Sequence, residues 1–364
     1  MFATLDAGGN LPPALAVARA VVDAGGTVRF LASPTQRSRI EAAGFAVQIY
    51  SSARPIDATA PGSLASVSLR QARAFADRGA GRDVIAAFRA EPVDVVVIDC
   101  LLVGALDEAI AAGIPVVAHV HTLWSFFDKA FDGPLGMMVR MLGVHARTAL
   151  NAPAMKIITV VPDLEGDLRG HGLHHVGPME AIGAIDAAPA APRILVSLST
   201  ATVPGQRQML QRILDALAGI PAHVLVTTGP AIDQRGLRIP DGIEVQPLAD
   251  HAREMPRTSL VITHGGHGTT ARALAHGIPV LVLPAHPLTD QPSIAAAVAR
   301  VAAGEALPRR ARPAAIRAAV DRLLVDGPER ASARALGHRL RAMHPDAQVV
   351  RLLQEAAASA ETPI

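Results

Sequence analysis

Short β-branched runs alternate with longer Ala-, Leu- and Arg-rich segments of helical period along most of the chain. This is the pattern of strands joined by crossover helices, so the class is α/β with parallel sheets. In the first half the apolar runs predict strands near Phe2–Leu5, Thr27–Leu31, Ala46–Ile49, Val93–Asp99, Pro115–His119 and Ile157–Val161, with helices beginning after Asn10, Pro34, Leu101 and Thr122. A second series is predicted at Arg193–Ser199, His223–Thr227, Ile243–Gln246, Leu260–Thr263 and Val280–Leu283. Between them Gly177–Pro192 is rich in Pro, Ala and Gly with little periodicity, which marks a linker. The expected layout is a doubly wound domain over residues 1–178, a linker over 179–192 and a second doubly wound domain over 193–340. Pro313–Ala358 reads as successive helices, and a last helix over 341–364 is expected to pack back on the first domain. Such sheets bind ligands beyond the carboxyl ends of their strands, so two sites facing each other across a cleft are expected.

Composition narrows the class. The 364 residues, 50% hydrophobic, suffice for two separate cores and exclude a disordered chain or a small disulfide scaffold. A net charge of +2, from 34 basic and 32 acidic side chains, gives no electrostatic footprint for nucleic acid. The single cysteine, Cys100, follows Val95–Ile98 and Asp99 at a predicted strand end; it cannot form an internal disulfide and fits a reducing compartment. No basic residue precedes Arg19, and every apolar run is interrupted before the roughly 18 residues that a membrane span needs. A cytoplasmic protein is therefore expected.

The most informative stretch is Leu260-Val-Ile-Thr-His264-Gly-Gly-His-Gly268-Thr-Thr, a buried strand entering a glycine-rich turn and then a helical segment, Ala271–His276. A strand, a tight glycine turn and a helix N-terminus together present unpaired N–H groups and the positive end of a helix dipole to an anion such as phosphate. The glycines allow close approach of the backbone, Thr269 and Thr270 can cap the helix and bond phosphate oxygens, and His264 can donate a hydrogen bond.

The block THGGHGTTARALAHGIPVLVLP, with Asp290-Gln291-Pro292 behind it, resembles the donor-binding signature of the inverting, nucleotide-sugar-dependent glycosyltransferases of family 1 type. These have two Rossmann-like domains (the GT-B architecture), and the likeness is greatest to the bacterial branch that decorates small natural products. It extends more weakly to Leu195–Thr200 and Gly8–Arg19. The resemblance implies that His264, Gly266, His267, Gly268 and Thr269 hold the donor's pyrophosphate, with Ser199 and Thr200 contacting it from the opposite strand end. It implies that Asp290 and Gln291 bind the sugar hydroxyls by directional hydrogen bonds. It also implies that the base of a UDP or dTDP donor packs on Leu248, where the family often has an aromatic residue, and bonds the backbone of Ala249. Residues Ala285–Thr289 make the segment before Asp290 a residue or two longer than usual.

The family's catalytic base is a histidine in Gly-His-x-x-Pro after the first strand. Here the stretch is Gly8-Gly9-Asn10-Leu11-Pro12-Pro13, and aligned on Pro13 it puts Asn10 at that position. An amide cannot be a general base, although it can position an acceptor oxygen. Asp99 matches the family's orienting carboxylate. Three possibilities follow: Asp99 is itself the base, with a pKa raised by burial; a histidine of His119-Val-His121 replaces the missing one; or the acceptor needs little help. The implied acceptor site draws on Asn10, His119, Trp124 and Phe127 and suits an apolar small molecule.

The expected activity is transfer of a hexose to a hydrophobic acceptor with inversion. The glycine amides, the helix dipole and His264 would stabilise the leaving phosphate, so neither a metal nor another cofactor is expected. One alternative is a homologue that binds nucleotide, no longer transfers sugar and serves as a partner protein. Another treats His264, His267 and Asp290 as ligands of a hydrolytic metal, against which the intervening glycines argue for a turn.

Overall fold

The computed structural model describes residues 1–55, 60, 62–166, 170–179, 191–198, 203–229 and 232–360. Its contacts divide the chain into two units: one runs to Met179, apart from a short piece around Ser63, and takes back the chain from His344; the other runs to Met343. Residues 180–190, most of the expected linker, lie outside the described residues. Among the described residues no helix is long and apolar enough to cross a membrane.

In the first unit, strands β1 (Phe2–Ala3), β2 (Arg29–Ala32), β3 (Ala46–Ile49), β4 (Val96–Asp99), β5 (Val116–Val120), β6 (Met155–Ile158) and β7 (Leu173–His175) form one parallel sheet in the order β3-β2-β1-β4-β5-β6-β7. The helices are α1 (Leu11–Asp23), α2 (Arg37–Ala42), α3 (Leu64–Phe75), α4 (Arg78–Ala90), α5 (Val103–Ala111), α6 (Trp124–Phe131), α7 (Pro134–Met141), α8 (Ala146–Asn151) and α9 (Pro162–Glu165). In the second unit β8 (Arg193–Ser197), β9 (His223–Thr227), β10 (Ile243–Gln246), β11 (Leu260–Thr263), β12 (Val280–Val282) and β13 (Gly304–Ala306) form a parallel sheet in the order β10-β9-β8-β11-β12-β13. It carries α10 (Gln206–Leu217), α11 (His251–Glu254), α12 (His267–Ala275), α13 (Gln291–Arg300), α14 (Pro313–Leu324) and α15 (Pro328–Arg341). The last helix, α16 (Pro345–Ala360), belongs to the first unit.

The central strands are apolar over most of their length, as a sheet covered by helices on both faces requires. Val96, Val97 and Ile98 of β4 are buried, as are Leu260, Val261 and Ile262 of β11. The helices supply one apolar stripe each. In α14 Ile316, Ala319, Val320 and Leu323, spaced at helical period, enter the second core. In α16 Val349, Leu352 and Leu353 join Leu11, Ala14, Val17 and Ala18 of α1 in the first core, which is why the C-terminal helix returns to that unit.

The predicted strands are all present, some with ends shifted by up to three residues, while β7 and β13 were not predicted. These are three-residue strands at sheet edges, too short for an apolar run to show. α12 begins earlier than predicted, at His267, so Gly268 lies inside the helix. The helices α3 and α4 were also missed, because the order of their neighbourhood comes from polar contacts. Asp83 on α4 accepts hydrogen bonds from the backbone N–H groups of Ser51 (2.8 Å), Ser52 (2.8 Å) and Ala53 (3.1 Å) and from the Ser51 hydroxyl (2.8 Å). Asp77 caps α4 at Gly79 (2.8 Å) and receives the N–H of Arg54 (2.6 Å). Two carboxylates thus hold the turn that leaves β3.

Burial raises the Asp83 carboxyl, but these donors outweigh it and hold the pKa below the ordinary value. A depressed folded-state pKa contributes stability that is present above the unfolded value and lost as pH falls through the folded one. Asp83→Asn is therefore expected to cost about 1–2 kcal/mol at pH 7. The gap should narrow below about pH 4, as chemical denaturation of both proteins across pH would show.

Candidate functional site

In a doubly wound sheet the crevice opens where the strand order reverses. In the first unit that point lies between β1 and β4, and Asn10 and Asp99 stand on its two sides. After β1 the chain turns through Gly8, whose φ of +91° favours glycine, and enters α1 with Asn10 as its N-cap and prolines in the first turn. The Asn10 amide spans the crevice: its Nδ2 donates to the Leu5 carbonyl (2.5 Å) and to Asp99 Oδ2 (2.5 Å), while its Oδ1 accepts the N–H of Ala7 (3.1 Å). Both its N–H donors are spent within the protein. Asn10 is a clamp on Asp99, and only one lone pair of its oxygen remains to meet an acceptor molecule.

The other carboxylate oxygen, Asp99 Oδ1, accepts the N–H of Leu101 (2.9 Å) and lies 3.0 Å from His121 Nε2. His121 follows β5, the next strand of the sheet, so the pair joins two adjacent strand ends. Burial raises the Asp99 carboxyl, yet the His121 charge and the three hydrogen bonds outweigh it and keep it below the ordinary carboxylate range. With these partners the carboxyl is a weak base, which argues against an Asp99 made basic by burial. For His121 burial lowers the pKa, but Cys100 and Asp99 outweigh it and hold the imidazole well above the ordinary histidine value. Of the three possibilities open in the sequence, the geometry favours His121 as the base and Asp99 as its partner. Held that high, the resting imidazole carries a proton on both nitrogens, so it must first release the Nδ1 proton to solvent; the tautomer that then donates Nε2–H to Asp99 has a lone pair on Nδ1.

His119 has a different role. It is 2% exposed, its Nε2 lies 2.9 Å from the Thr159 hydroxyl, and burial pushes its pKa down to about 3. It is a neutral core residue rather than an acceptor ligand. Trp124 and Phe127 are also buried, packed edge-on with ring centroids 6.3 Å apart, and Phe127 packs further on Phe126 and Phe131. They form the core beneath α6 instead of an open pocket lining. The start of α6 is held by Glu165, whose carboxylate oxygens accept the N–H groups of Trp124 (2.6 Å) and Ser125 (2.8 Å). No local motif marks Glu165, because its partners are some forty residues distant in the chain.

In the second unit the reversal lies between β8 and β11, where Ser197 pairs in register with Thr263. His264 comes next, then Gly265 with φ +91° and Gly266 as N-cap of α12. The His264 ring lies against Gly266, where a Cβ would come within 2.8 Å of Cε1 and Nε2. Burial lowers the His264 pKa to about 4, although a hydrogen bond to the Ser197 carbonyl opposes the shift. The ring is neutral and its N–H is engaged, so an anion at this turn would be met mainly by the free N–H groups of the helix start. The Ser197 hydroxyl lies 3.2 Å from His251 Nε2, so Ser197 ties both histidines to the switch point. The His251 contact with β8 has no mark in the sequence, because the two residues are 54 positions apart in the chain.

The other expected donor residues divide. Thr270 is buried and donates to the Gly266 carbonyl (2.9 Å), so it does not face a phosphate; Gly268 and Thr269 are half-buried and His267 is buried. Gln291 is buried, and its Oε1 accepts the N–H groups of Ala285 (2.8 Å) and His286 (2.9 Å), which leaves only its amide N–H groups for a sugar. This clamp accounts for the extended 285–289 segment, which folds back on the start of α13. Asp290 is half-buried at the N-cap of α13, Leu248 is 66% exposed and Ala249 is half-buried. Ser199 and Thr200 lie outside the described residues. Among the described residues His264, His267 and Asp290 do not converge as metal ligands.

Residues 211–356 match the family described as erythromycin biosynthesis protein CIII-like, C-terminal domain. L-demethylnoviosyl transferase of Streptomyces niveus is 30% identical over 268 residues, 67% of this chain and 66% of that protein. Elloramycin glycosyltransferase of Streptomyces olivaceus is 32% identical over 203 residues, 53% of this chain and 51% of that one. For O-mycaminosyltylonolide 6-deoxyallosyltransferase of Streptomyces fradiae the match is 35% over 113 residues, a quarter of its length. The chain thus spans about half or less of these last two relatives. The calicheamicin glycosyltransferase CalG4 superposes with a TM-score of 0.77 at 20% identity, covering 100% of this chain and 98% of that one. The spinosyn rhamnosyltransferase SpnG, solved in complex with thymidine diphosphate, gives 0.72 at 20% identity, covering 97% and 99%. The chain has the GT-B fold, and its sequence resembles the bacterial natural-product glycosyltransferases. The family match falls mostly in the second domain, while the Asn10 departure lies in the first.

The Gln291 clamp generates a prediction. Gln291→Leu removes the acceptor of two buried N–H groups, so amide exchange at Ala285 and His286 should accelerate at least about tenfold, consistent with local opening. Exchange in the β8–β11 core should be unchanged. Equal protection of the loop in both proteins would show that the clamp does not hold it.

Proposed function

We propose that this protein transfers a hexose from a UDP- or dTDP-sugar to a hydrophobic small-molecule acceptor, with inversion at the anomeric carbon and with no requirement for a metal. The observation that carries the reading is the buried Asp99–His121 pair at the first switch point, braced by Asn10 where the family has its base. In this reading the first domain takes the acceptor and the second takes the donor. His121 Nδ1 accepts the proton of the acceptor hydroxyl, and the Asp99 carboxylate stabilises the imidazolium that results. The acceptor oxygen attacks the anomeric carbon, the bond from that carbon to the diphosphate oxygen breaks, and the nucleoside diphosphate departs. Charge on the leaving group falls on the N–H groups and dipole at the start of α12, which need no reorganisation to receive it.

Asp290 and the amide N–H groups of Gln291 would read the sugar hydroxyls. The base would lie against exposed Leu248 beside the backbone of Ala249, with Ser199 and Thr200 contributing to the phosphates. A location in the cytoplasm fits this co-substrate. An intact dyad favours an active enzyme over a nucleotide-binding partner protein, because a scaffold has no need to hold a histidine against a buried carboxylate.

The thymidine diphosphate complex of SpnG makes dTDP the first nucleotide to test. A nucleotide at a hundredfold excess over its dissociation constant should add about 2.7 kcal/mol to stability if it binds only the folded state. The stabilisation should be insensitive to chelator and weaker in Gly266→Val, which fills the turn. His121→Ala and Asp99→Asn should lower transfer by about 10²–10⁴-fold with nucleotide stabilisation intact. Absence of stabilisation by any nucleoside diphosphate would defeat the donor assignment. Full transfer by His121→Ala would defeat the base.

A further inference from the structure

Cys100, the single cysteine of the chain, lies directly behind Asp99 and is fully buried, yet nothing in the proposed reaction uses a thiol. Its sulfur, a carboxylate oxygen of Asp99 and a ring nitrogen of His121 lie within 4.8 Å of one another. Among the described residues this is the one group of three His, Cys, Asp or Glu side chains with such spacing. The geometry points to a second property of this centre, independent of the donor reading: Asp99, Cys100 and His121 form a binding site for a soft divalent cation such as Zn²⁺, which displaces the proton shared by Asp99 and His121 and inhibits the enzyme.

A thiolate, an imidazole and a carboxylate are a zinc donor set, and three protein ligands leave the fourth tetrahedral position for water. Bonds of about 2.0–2.3 Å place tetrahedral ligand atoms roughly 3.3–3.8 Å apart. The widest pair here must close by about 1.5 Å at most. Asp99 Oδ1 and His121 Nε2 are already 3.0 Å apart, a separation that a metal can bridge in place of a proton. The backbone preorganises the set: Asp99 and Cys100 are consecutive at the end of β4, and the Cys100 N–H bonds the His119 carbonyl at 3.0 Å, which ties them to the strand that carries His121. The His121 side chain is 9% exposed, which gives the ion a side of entry. Binding releases the thiol proton and the proton of the pair to solvent. Sulfur in the set selects against Mg²⁺, whose preferred ligands are oxygens.

The test uses the intact protein with Zn²⁺, Co²⁺ and Mg²⁺ as probes and needs neither donor nor acceptor. Competition with a chromophoric chelator should show one Zn²⁺ per chain, and bound Co²⁺ should show a thiolate-to-metal charge-transfer band. Cys100→Ser should lose the band and bind Zn²⁺ at least about tenfold more weakly, and Mg²⁺ should not compete. Where transfer is measurable, Zn²⁺ should inhibit the wild type, chelator should reverse the inhibition, and Cys100→Ser should be at least tenfold less sensitive. Absence of the band in wild-type protein overturns the site even if the variant fails to fold. Equal affinity in Cys100→Ser, which would assign the ion to other histidines, overturns it as well, and stoichiometric binding without inhibition would place the metal away from the pair. Loss of transferase activity with the cobalt band retained would count against the catalytic reading alone.

Discussion

The first domain depends on how a buried carboxylate at the sheet's switch point is satisfied. Asp99 ends a strand whose other residues are apolar, and burying its charge would be prohibitive without partners. It has three: the Asn10 amide from across the crevice, the Leu101 N–H, and His121 by both charge and hydrogen bond. Those partners come from the first turn after β1, from β4's own exit and from the end of β5, so one carboxylate aligns three strand ends. The catalytic pair in the proposed reaction is the same set of contacts that makes the burial of Asp99 tolerable.

The second domain solves a different problem with less charge. Its switch point is lined by neutral histidines, since burial holds His264 and His251 near a pKa of about 4, and Ser197 engages both. An anion there meets oriented backbone N–H groups and a helix dipole, which the glycines at 265 and 266 allow it to approach. Fixed dipoles need no counter-charge when the site is empty, whereas an arginine buried in the same place would. This is one physical reason for a glycine turn in a site that must bind and release a charged nucleotide.

The two domains were unequally legible. The block from Leu260 to Gln291 advertises its geometry because strand, turn and helix start are consecutive in the chain. Even there the hydroxyl of Thr270 and the amide oxygen of Gln291 turned out to serve the fold, since a buried side chain satisfies the nearest backbone group first. In the first domain the family pattern pointed to a histidine that is absent, and the residues proposed for the acceptor, His119, Trp124 and Phe127, lie in the core. Apolar and aromatic residues at helical spacing carry no mark that separates core from pocket.

What the sequence determined by itself was everything that local period and adjacency encode: the α/β class, most of the strands, the Cys100 position behind Asp99 and the glycine turn at 264–268. What only the tertiary structure decided was which distant side chains share a proton or an N–H. Asn10, Asp99 and His121 meet because parallel crossovers bring the carboxyl ends of β1, β4 and β5 together, and Glu165 reaches α6 by the same means. The proposed role of His121 rather than Asp99 as base rests on solvation and hydrogen bonding at that meeting point, where burial raises the carboxyl less than its partners lower it. Neither the crossover nor the solvation is written in the spacing of residues along the chain.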